Sequence, residues 1–284
     1  MGGACLDRSG STGADGPARR TGLQPEGRAI RRLILVANIA APVLLVAIWP
    51  TSPLLGLLVL FGAHMLALYP TLSANSQWWG PVVTSFESSS GDSIWLTIDD
   101  GPDTEDTPRI LELLDAHDAK ATFFVKGEAA ARHPELLREI RSRGHEIGNH
   151  SHTHPSGTFW CLGPSRIDRE IDDASRAIQN AIDEMPTRFR APVGMKNFWV
   201  HPRLRSRGMN LIGWTARGWD TVSKSPSHAA GRIMRQLGPG KIVLVHEGRA
   251  VTDHQGYEVL QQLLARLSRE GYRCVIPTDA ELRR

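Results

Sequence analysis

The stretch SIWLTIDDGP, residues 93–102, places two adjacent carboxylates directly after a short run of strand-forming residues. Ile94–Ile98 is rich in β-branched and aromatic side chains, which predicts a buried strand. Asp99 and Asp100 close that strand, and Gly101-Pro102 favours a turn after it. Taken alone, the two aspartates are explained most simply by turn formation, because Asp and Gly are so common in turns.

Downstream of this stretch, short β runs alternate with amphipathic helical segments. Strands are predicted at Ile94–Ile98, Ala121–Val125, His145–Gly148, Arg188–Ala191, Leu211–Trp214, Ile242–Val245 and Arg273–Ile276. Helices are predicted at Pro108–His117, Pro134–Arg143, Pro164–Met185 and near 226–237 and 256–270. Seven strands alternating with helices indicate a parallel α/β domain, either a barrel or an open sheet.

A second polar cluster, His150-Ser151-His152-Thr153-His154, follows the third predicted strand. Its position matters because parallel α/β folds assemble their sites just beyond the strand ends. His150 and His154 can converge on one cation if this stretch forms a helical turn. Two imidazoles and one carboxylate then make a three-ligand site with open positions, as catalytic zinc requires. For the pentapeptide alone, a polar loop with exposed histidines explains the pattern equally well.

The chain divides by composition into four segments. The first 29 residues are rich in Gly, Ser, Pro and Arg, and so few apolar side chains cannot offset the entropy lost on ordering. The next segment is apolar, and the remainder carries the α/β pattern. The predicted segments are a disordered tail at 1–29, a membrane-inserted helical hairpin at 30–70, a linker at 71–91 and the α/β domain at 92–284.

The predicted hairpin consists of the apolar runs Leu33–Trp49 and Leu54–Tyr69. Each is close to the lower limit of about 17 residues for a membrane-spanning helix. Two runs in succession favour membrane insertion over a buried soluble hairpin or a signal peptide. Arg28, Arg31 and Arg32 precede the first run and favour a cytoplasmic N-terminus in the inner membrane of a bacterium. Two spans would return the α/β domain to the cytoplasmic side, whereas a single span would place it in the periplasm.

Charge and cysteine content exclude some classes of function. The 284 residues include 33 Lys and Arg against 30 Asp and Glu, a net charge of +3, which argues against a nucleic-acid partner. The three cysteines, Cys5, Cys161 and Cys274, are odd in number and widely spaced. Neither a disulfide framework nor a cysteine-based zinc site is therefore expected.

Four motifs, in order, give the sequence a specific resemblance. They are Thr97-Ile98-Asp99-Asp100-Gly101-Pro102, His150 to His154, Arg190-Ala191-Pro192-Val193-Gly194 and Leu244-Val245-His246. They resemble the first, second, third and fifth motifs of the NodB-homology polysaccharide deacetylases, carbohydrate esterase family 4, with Ile98 in place of a Phe. The resemblance covers about residues 92–276. It implies a distorted (β/α)7-type barrel, NodB-like and here preceded by an N-terminal hydrophobic helical hairpin.

The resemblance also implies a role for each motif residue. A divalent metal, with zinc as the expected ion, would be bound by Asp100, His150 and His154. Asp99 would be the general base toward the attacking water, and Arg190 would hold it in position. His246 would be the general acid that protonates the leaving amine, and the backbone N–H of Val193 would help to stabilise the oxyanion.

General chemistry agrees with these roles. A metal lowers the pKa of a water to about 7 and polarises an amide carbonyl. Amide hydrolysis needs a proton for the departing nitrogen, which a nearby histidine can supply. Asp99 and Asp100 can take different roles because a strand sends successive side chains in opposite directions.

One motif departs from the family pattern. The family commonly has an Asp-Trp pair whose Asp orients the catalytic histidine, and here Asp220 is followed by Thr221. Asp220 is assigned that orienting role, while the changed neighbour puts the wall of the acyl pocket in doubt. Leu244 could line the same pocket, although a strand leucine is most often only part of the core.

The function that these inferences predict is that of a hydrolase acting on carbon–nitrogen bonds other than peptide bonds. Its substrate would be the N-acyl amide of an amino sugar, in a lipid-linked sugar, a membrane-proximal glycan or an envelope polysaccharide. A non-haem iron oxygenase also uses two histidines and one carboxylate, but it gives Asp99 and His246 no task. A catalytically silent, membrane-anchored carbohydrate-binding protein of the same fold is the alternative from a non-enzyme class.

Overall fold

The computed structural model describes residues 25–88, 91–248, 251 and 255–283. Residues 1–24 of the predicted tail lie outside the described residues, and the last five residues of that tail belong to the first helix, which begins at Pro25. The helices are α1 (Pro25–Ile48), α2 (Pro53–Leu72), α3 (Asp106–Ala116), α4 (Gly127–Arg132), α5 (Pro134–Ser142), α6 (Pro164–Ile182), α7 (Val200–Ser206), α8 (Pro226–Met234) and α9 (Gly256–Arg269). The strands are β1 (Ser85–Phe86), β2 (Ser93–Asp99), β3 (Ala121–Val125), β4 (Glu146–Asn149), β5 (Arg188–Phe189), β6 (Asn210–Leu211), β7 (Ala216–Arg217), β8 (Ile242–His246), β9 (Arg273–Cys274) and β10 (Leu282–Arg283).

Seven strands form a curled parallel sheet in the order β6-β5-β4-β3-β2-β8-β7, and β9 pairs with the beginning of β2. Helices cover the outside of this sheet. This arrangement confirms the predicted (β/α)7-type fold. The longest strand, β2, lies at its centre between β3 and β8, and the stretch that ends in Asp99 therefore occupies the middle of the sheet.

The two faces of β2 bury different groups. Ile94, Leu96 and Ile98 belong to the core between the sheet and its helices. Trp95 belongs instead to a cluster on the concave side. Because side chains alternate along a strand, Thr97 and Asp99 share that concave side, where Thr97 bonds to the Val243 carbonyl. The strand thus supplies one face to the core and the other to the site.

Several observed helices and strands are shorter than predicted. Helix α6 ends at Ile182 rather than Met185, because Asp183 adopts φ +57 and breaks the helical repeat. Strands β5 and β6 are only two residues long, so the predicted runs 188–191 and 211–214 continue as loops. Those loops carry polar site residues and close backbone contacts that a strand pattern does not reveal.

The predicted apolar hairpin is confirmed as two antiparallel helices, α1 and α2. Gly56 lets them approach closely, since a Cβ at this position would lie 2.7 Å from the Leu45 side chain. The Asn38 amide donates to the Ala63 carbonyl at 2.9 Å and joins the two helices. Many other side chains of the hairpin are apolar and exposed, among them Leu33, Ile39, Val46, Leu54 and Phe61.

Residues 71–91, predicted as a linker, are packed against the barrel in their described part. Trp79, Val82 and Val83 are fully or almost fully buried. Strand β1 pairs antiparallel with β10 near the end of the described chain. This close packing gives the hairpin a defined position relative to the sheet.

Candidate active site

The carboxyl ends of β2 and β8 bring two candidate catalytic groups together. Asp99 lies directly opposite His246 in the register of this parallel pair. Both side chains point to the concave side of the sheet, because they stand at the same position of the strand alternation. The loops that follow β4 and β5 add the remaining groups around this edge.

Asp100 reaches the site through an unusual backbone conformation. Its φ is +79, its backbone N–H donates to the Phe124 carbonyl, and it stands just beyond the end of β2. The predicted separation of Asp99 and Asp100 by strand alternation therefore needs correcting, since a left-handed turn, rather than the strand itself, directs Asp100. Positive φ in a non-glycine residue is uncommon, and Asp is among the residues that tolerate it.

The segment from His150 to His154 is a loop and not the helical turn that was the predicted way for the two histidines to converge. Ser151 and His154 both adopt positive φ, at +66 and +51. Glu170, buried on α6, accepts bonds from the backbone N–H groups of His152 and Thr153 at 3.0 and 2.8 Å. A carboxylate from a neighbouring helix thus replaces helical hydrogen bonding and still brings the two histidines together.

Asp100, His150 and His154 offer three ligand atoms that lie within 4.8 Å of one another. The His150 Nδ1 donates to the Arg190 carbonyl at 2.8 Å, which leaves its Nε2 lone pair available in the neutral ring. The His154 Nε2 lies 3.5 Å from the Asp100 carboxylate. One carboxylate and two imidazoles, of which His150 has its tautomer fixed, suit a divalent cation of the zinc type. The residues present therefore fit the metal that the family implies.

The protonation states of this cluster suit metal ligands. Burial, reinforced by the neighbouring His150, lowers the pKa of His154 to about 4, so its ring is neutral near pH 7. Burial alone would raise the pKa of Asp100, but His150, His154 and Lys126 outweigh it and the net shift is downward. A neutral imidazole and an ionised carboxylate are the forms that bind cations.

Asp99 is held by a buried arginine. The Arg190 guanidinium donates to Asp99 Oδ1 at 2.8 Å and to the Thr97 hydroxyl at 2.7 Å. It also donates to the carbonyls of Ile212 and Gly213, at 3.3 and 2.9 Å. Arg190 is fully buried, and these four partners fix its plane. The second oxygen, Asp99 Oδ2, lies 3.6 Å from His150 Nε2 and so faces the candidate metal ligands.

His246 is oriented by Asp220. The Asp220 carboxylate accepts from His246 Nδ1 at 3.0 Å and from the His246 backbone N–H at 2.7 Å. Burial alone would lower the pKa of His246, but the Asp220 charge and hydrogen bond, together with the charges of Asp99 and Asp100, outweigh it and raise the pKa to about 9. The ring therefore carries a proton at neutral pH, with Nε2 left to face the site.

Val193 and Leu244, the residues predicted for the oxyanion and the acyl pocket, lie in different surroundings. Val193 has φ +56 in the turn Pro192–Gly194, an outlying conformation for a β-branched residue. Its side chain is 52% exposed, so the turn stands at the protein surface, shortly after Arg190. Leu244 is buried in the same cluster as Trp214, on the concave side.

Further residues stand beside the site, and sequence reasoning missed Lys126 among them. Lys126, directly after β3, lies 3.6 Å from the Asp100 carboxylate. Trp219 is half-exposed at φ +60, and the Arg217 guanidinium lies 3.3 Å from its ring centroid. Glu247 is buried, and burial raises its pKa to about 8. Lys126 directly follows a predicted strand, as Asp99 does, and this position could have identified it from the sequence.

Comparison with known proteins agrees with this geometry. The family model described as polysaccharide deacetylase matches residues 87–212. The chain is 34% identical to a chitooligosaccharide deacetylase of Bradyrhizobium sp. (strain ANU 289), over 63% of this chain and 86% of that protein. It is 32% identical to a peptidoglycan-N-acetylglucosamine deacetylase of Bacillus cereus, over 66% and 86% of the two chains. Among solved structures, it resembles a family 4 carbohydrate esterase from Streptomyces lividans, with a TM-score of 0.59 and 28% identity, over 66% and 93% of the two chains.

The curled sheet and the groups at its carboxyl edge define a NodB-like amidohydrolase fold. The chain belongs to the polysaccharide deacetylases of carbohydrate esterase family 4. It is accordingly a hydrolase of non-peptide carbon–nitrogen amide bonds.

Proposed function

We propose that this chain is a membrane-anchored, divalent-metal-dependent deacetylase that removes the N-acyl group from an amino sugar of a membrane-proximal or envelope glycan. The observation that carries the proposal is the convergence of Asp100, His150 and His154 beside Asp99 and His246. Three ligand atoms lie within 4.8 Å of one another, and a base and an acid flank them in strand register. This arrangement supports amide hydrolysis, because it provides metal ligands, a general base and a general acid. A non-haem iron oxygenase would leave Asp99 and His246 without a role.

The cation would be held by Asp100, His150 and His154, and zinc is the proposed ion. When bound, such an ion polarises the amide carbonyl and lowers the pKa of a water to about 7. Two imidazoles and one carboxylate leave coordination positions for substrate and water, as catalytic zinc sites require.

Asp99 is proposed as the general base. Arg190 occupies its Oδ1, and its Oδ2 faces the candidate ligands and is free to take a proton from the attacking water. The Arg190 guanidinium, of opposite charge, holds the Asp99 carboxylate at 2.8 Å and leaves its second oxygen toward the candidate ligands. A guanidinium bonded to four fixed oxygens also keeps the carboxylate plane from rotating.

His246 is proposed as the general acid. An amide nitrogen leaves only when protonated, and the His246 ring holds a proton at neutral pH because Asp220 raises its pKa to about 9. Asp220 binds both the ring and the backbone of the same residue, which fixes the tautomer and the ring orientation. The backbone N–H of Val193 is assigned to the developing oxyanion, and Leu244 to the wall that meets the acyl group.

The substrate class is inferred from the relatives. One is a chitooligosaccharide deacetylase and another a peptidoglycan-N-acetylglucosamine deacetylase, so both act on N-acetylated amino-sugar polymers. An acetyl amide on a glucosamine-type sugar is therefore the proposed reacting group. A lipid-linked form of such a sugar agrees with the hairpin beside the site.

The hairpin supports anchoring in a membrane. Gly27–Ile48 and Pro53–Leu72 are long and apolar enough to cross one, and only 11% and 22% of their apolar windows are buried. The beginning of α1 and the end of α2 both contact the barrel, through Arg31 to the Phe198 carbonyl and Thr71 to the Lys196 N–H. With two spans, the barrel and the start of α1 therefore lie on the same side of the membrane. The arginines at that start favour the cytoplasmic side of a bacterial inner membrane.

Acetate release from an N-acetylated chitooligosaccharide by the purified full chain tests the catalytic proposal. We expect release with added zinc, its loss after chelation, and its loss in Asp99→Asn. Asp118→Asn is the matched control, since Asp118 is exposed after α3 and lies far from the β2 carboxyl end. No release under any of these conditions would overturn the proposal.

The membrane orientation has a separate test. Alkaline phosphatase fused after Glu87 reports which side of the membrane this position occupies, since the enzyme is active only in the periplasm. We expect low activity for a two-span hairpin with a cytoplasmic barrel. Strong activity would overturn that topology and leave the deacetylase proposal intact.

A further inference from the structure

A cavity of about 590 Å³ lies where the hairpin meets the barrel. Its volume is within the range of about 300–1,000 Å³ that small-molecule sites occupy. Apolar and aromatic side chains from both sides line it, including Ile34, Leu35, Leu68, Trp160, Phe198 and Trp199.

The polar side chains in this lining already have partners. The Asn38 amide donates to carbonyls of both hairpin helices. The Asn197 amide donates to the carbonyls of Trp160 and Leu162, at 3.0 and 2.9 Å. Thr71 donates to a carbonyl of its own helix and accepts from the Trp79 indole. With these groups satisfied, the cavity presents hydrocarbon surface and suits an apolar occupant.

The barrel wall of the cavity belongs to the loops that leave the catalytic edge. Trp160 follows the loop of His154, and Asn197 stands three residues after Gly194, in the turn that contains Val193. Three extended residues span at most about 11 Å, so the wall is close to that turn. The Asn197 amide ties the two loops together at the cavity. The cavity therefore adjoins the loops that carry His154 and Val193.

Positive charge lies beside the cavity. Arg31 donates to the carbonyl of Phe198, a lining residue, at 3.2 Å. A guanidinium held by a neutral carbonyl at the edge of an apolar cavity favours an anionic group beside it.

We infer that this cavity holds the hydrocarbon chain of a lipid-linked substrate, in which a phosphate joins the chain to an N-acylated amino sugar. The inference rests on the proposed function and specifies its substrate. The chain would lie among the apolar walls and continue along exposed hairpin residues such as Leu33 and Val36 into the bilayer. The phosphate would meet Arg31, and the sugar would extend to the catalytic edge.

Filling the cavity provides the test. Ala67 lines it from α2, and Ala67→Phe adds an aromatic ring to that wall. Ala47→Phe is the matched control, because Ala47 is exposed on α1 and outside the lining. Both variants, as full chains in proteoliposomes, are assayed on two substrates. One is a water-soluble N-acetylated chitooligosaccharide, and the other is N-acetylglucosamine joined by a phosphate to a long-chain isoprenoid alcohol.

We expect Ala67→Phe to raise KM at least tenfold for the lipid-linked substrate and to leave kcat/KM for the soluble substrate within twofold. Ala47→Phe should change neither. Equal values for Ala67→Phe and the unmodified chain on the lipid-linked substrate would overturn the inference, and so would a parallel loss on both substrates. Activity on the soluble substrate then shows that the proposed function stands.

A binding measurement separates the two proposals if no substrate is turned over. A long-chain isoprenyl phosphate carrying a photoreactive group is irradiated with the full chain, and the labelled peptides are identified by mass spectrometry. We expect labelling at Trp160 or Phe198 that Ala67→Phe abolishes and Arg31→Gln weakens. Labelling confined to the outer faces of the hairpin, or unchanged by both substitutions, would overturn the lipid site whatever the activity.

Discussion

The ion pair between His246 and Asp220 allows a quantitative prediction. The Asp220 charge is the largest of the effects that raise the pKa of His246 from its ordinary 6.5 to about 9. In Asp220→Asn the amide oxygen can still accept the bonds from Nδ1 and from the backbone, but the charge is lost. We expect the pKa of His246 to fall by about two units, or about 2.7 kcal/mol at 1.36 kcal/mol per unit.

The sign follows from the role of His246 as an acid. A protonated acid is present below its pKa and is lost as the pH rises through it. The alkaline limb of kcat/KM should therefore move from near pH 9 to near pH 7 in Asp220→Asn. At pH 8 the protonated fraction would fall from about 90% to about 9%, so the rate should drop about tenfold for this reason alone.

The assay is acetate release across pH 6 to 10, on protein whose metal content has been measured. Equal metal content in both proteins shows that the difference arises at His246. An alkaline limb that stays at the same pH in Asp220→Asn would refute the assignment of Asp220 as the group that keeps His246 protonated. A limb that moves to higher pH would refute the assignment of His246 as the acid.

The remaining predictions concern the base, a ligand and the junction with the hairpin. Asp99→Asn should lower kcat by about 10²- to 10⁴-fold, as loss of a general base does, while metal analysis finds unchanged stoichiometry; retained activity would reject that role. His154→Ala should weaken zinc binding as well as rate, and an unchanged affinity in a metal titration would count against ligation. Lys196 is buried and donates to the carbonyls of Ser73 and Ala74 at 2.7 and 2.8 Å. In Lys196→Met both carbonyls lose this partner, so the free energy of unfolding should fall by about 1–3 kcal/mol or more, as measured by thermal unfolding. An unchanged Tm would show that this contact contributes little to the stability of the protein.

Runs of β-branched and aromatic residues predicted the longest strands of the central sheet, because such runs are distinctive over five or more residues. Ala121–Val125 was predicted with its observed bounds, and Ile94–Ile98 with an error of one residue at each end. Strand β7 and helices α4 and α7 were missed, because two to seven residues are too few to show a pattern. The parallel order of the sheet came from the resemblance to the family and the alternation with helices together.

The site residues could be named from their motifs, but the backbone that unites them could not. The turn at Asp100 and the loop from His150 to His154 depend on positive φ at non-glycine residues. Such conformations are stabilised by distant partners, such as Glu170 on α6, and local sequence does not indicate them. The packing of residues 71–91 on the barrel depends likewise on contacts with segments far along the chain.

Anomalous diffraction at the zinc edge, on crystals of the full chain grown with zinc, tests the central claim most directly. The claim is that one cation is bound by Asp100, His150 and His154, with Asp99 and His246 beside it but not bonded to it. We predict a single strong peak bonded to these three side chains. A peak bonded to Asp99 in place of Asp100, or no peak at this edge of the sheet while zinc occupies another site, would contradict it.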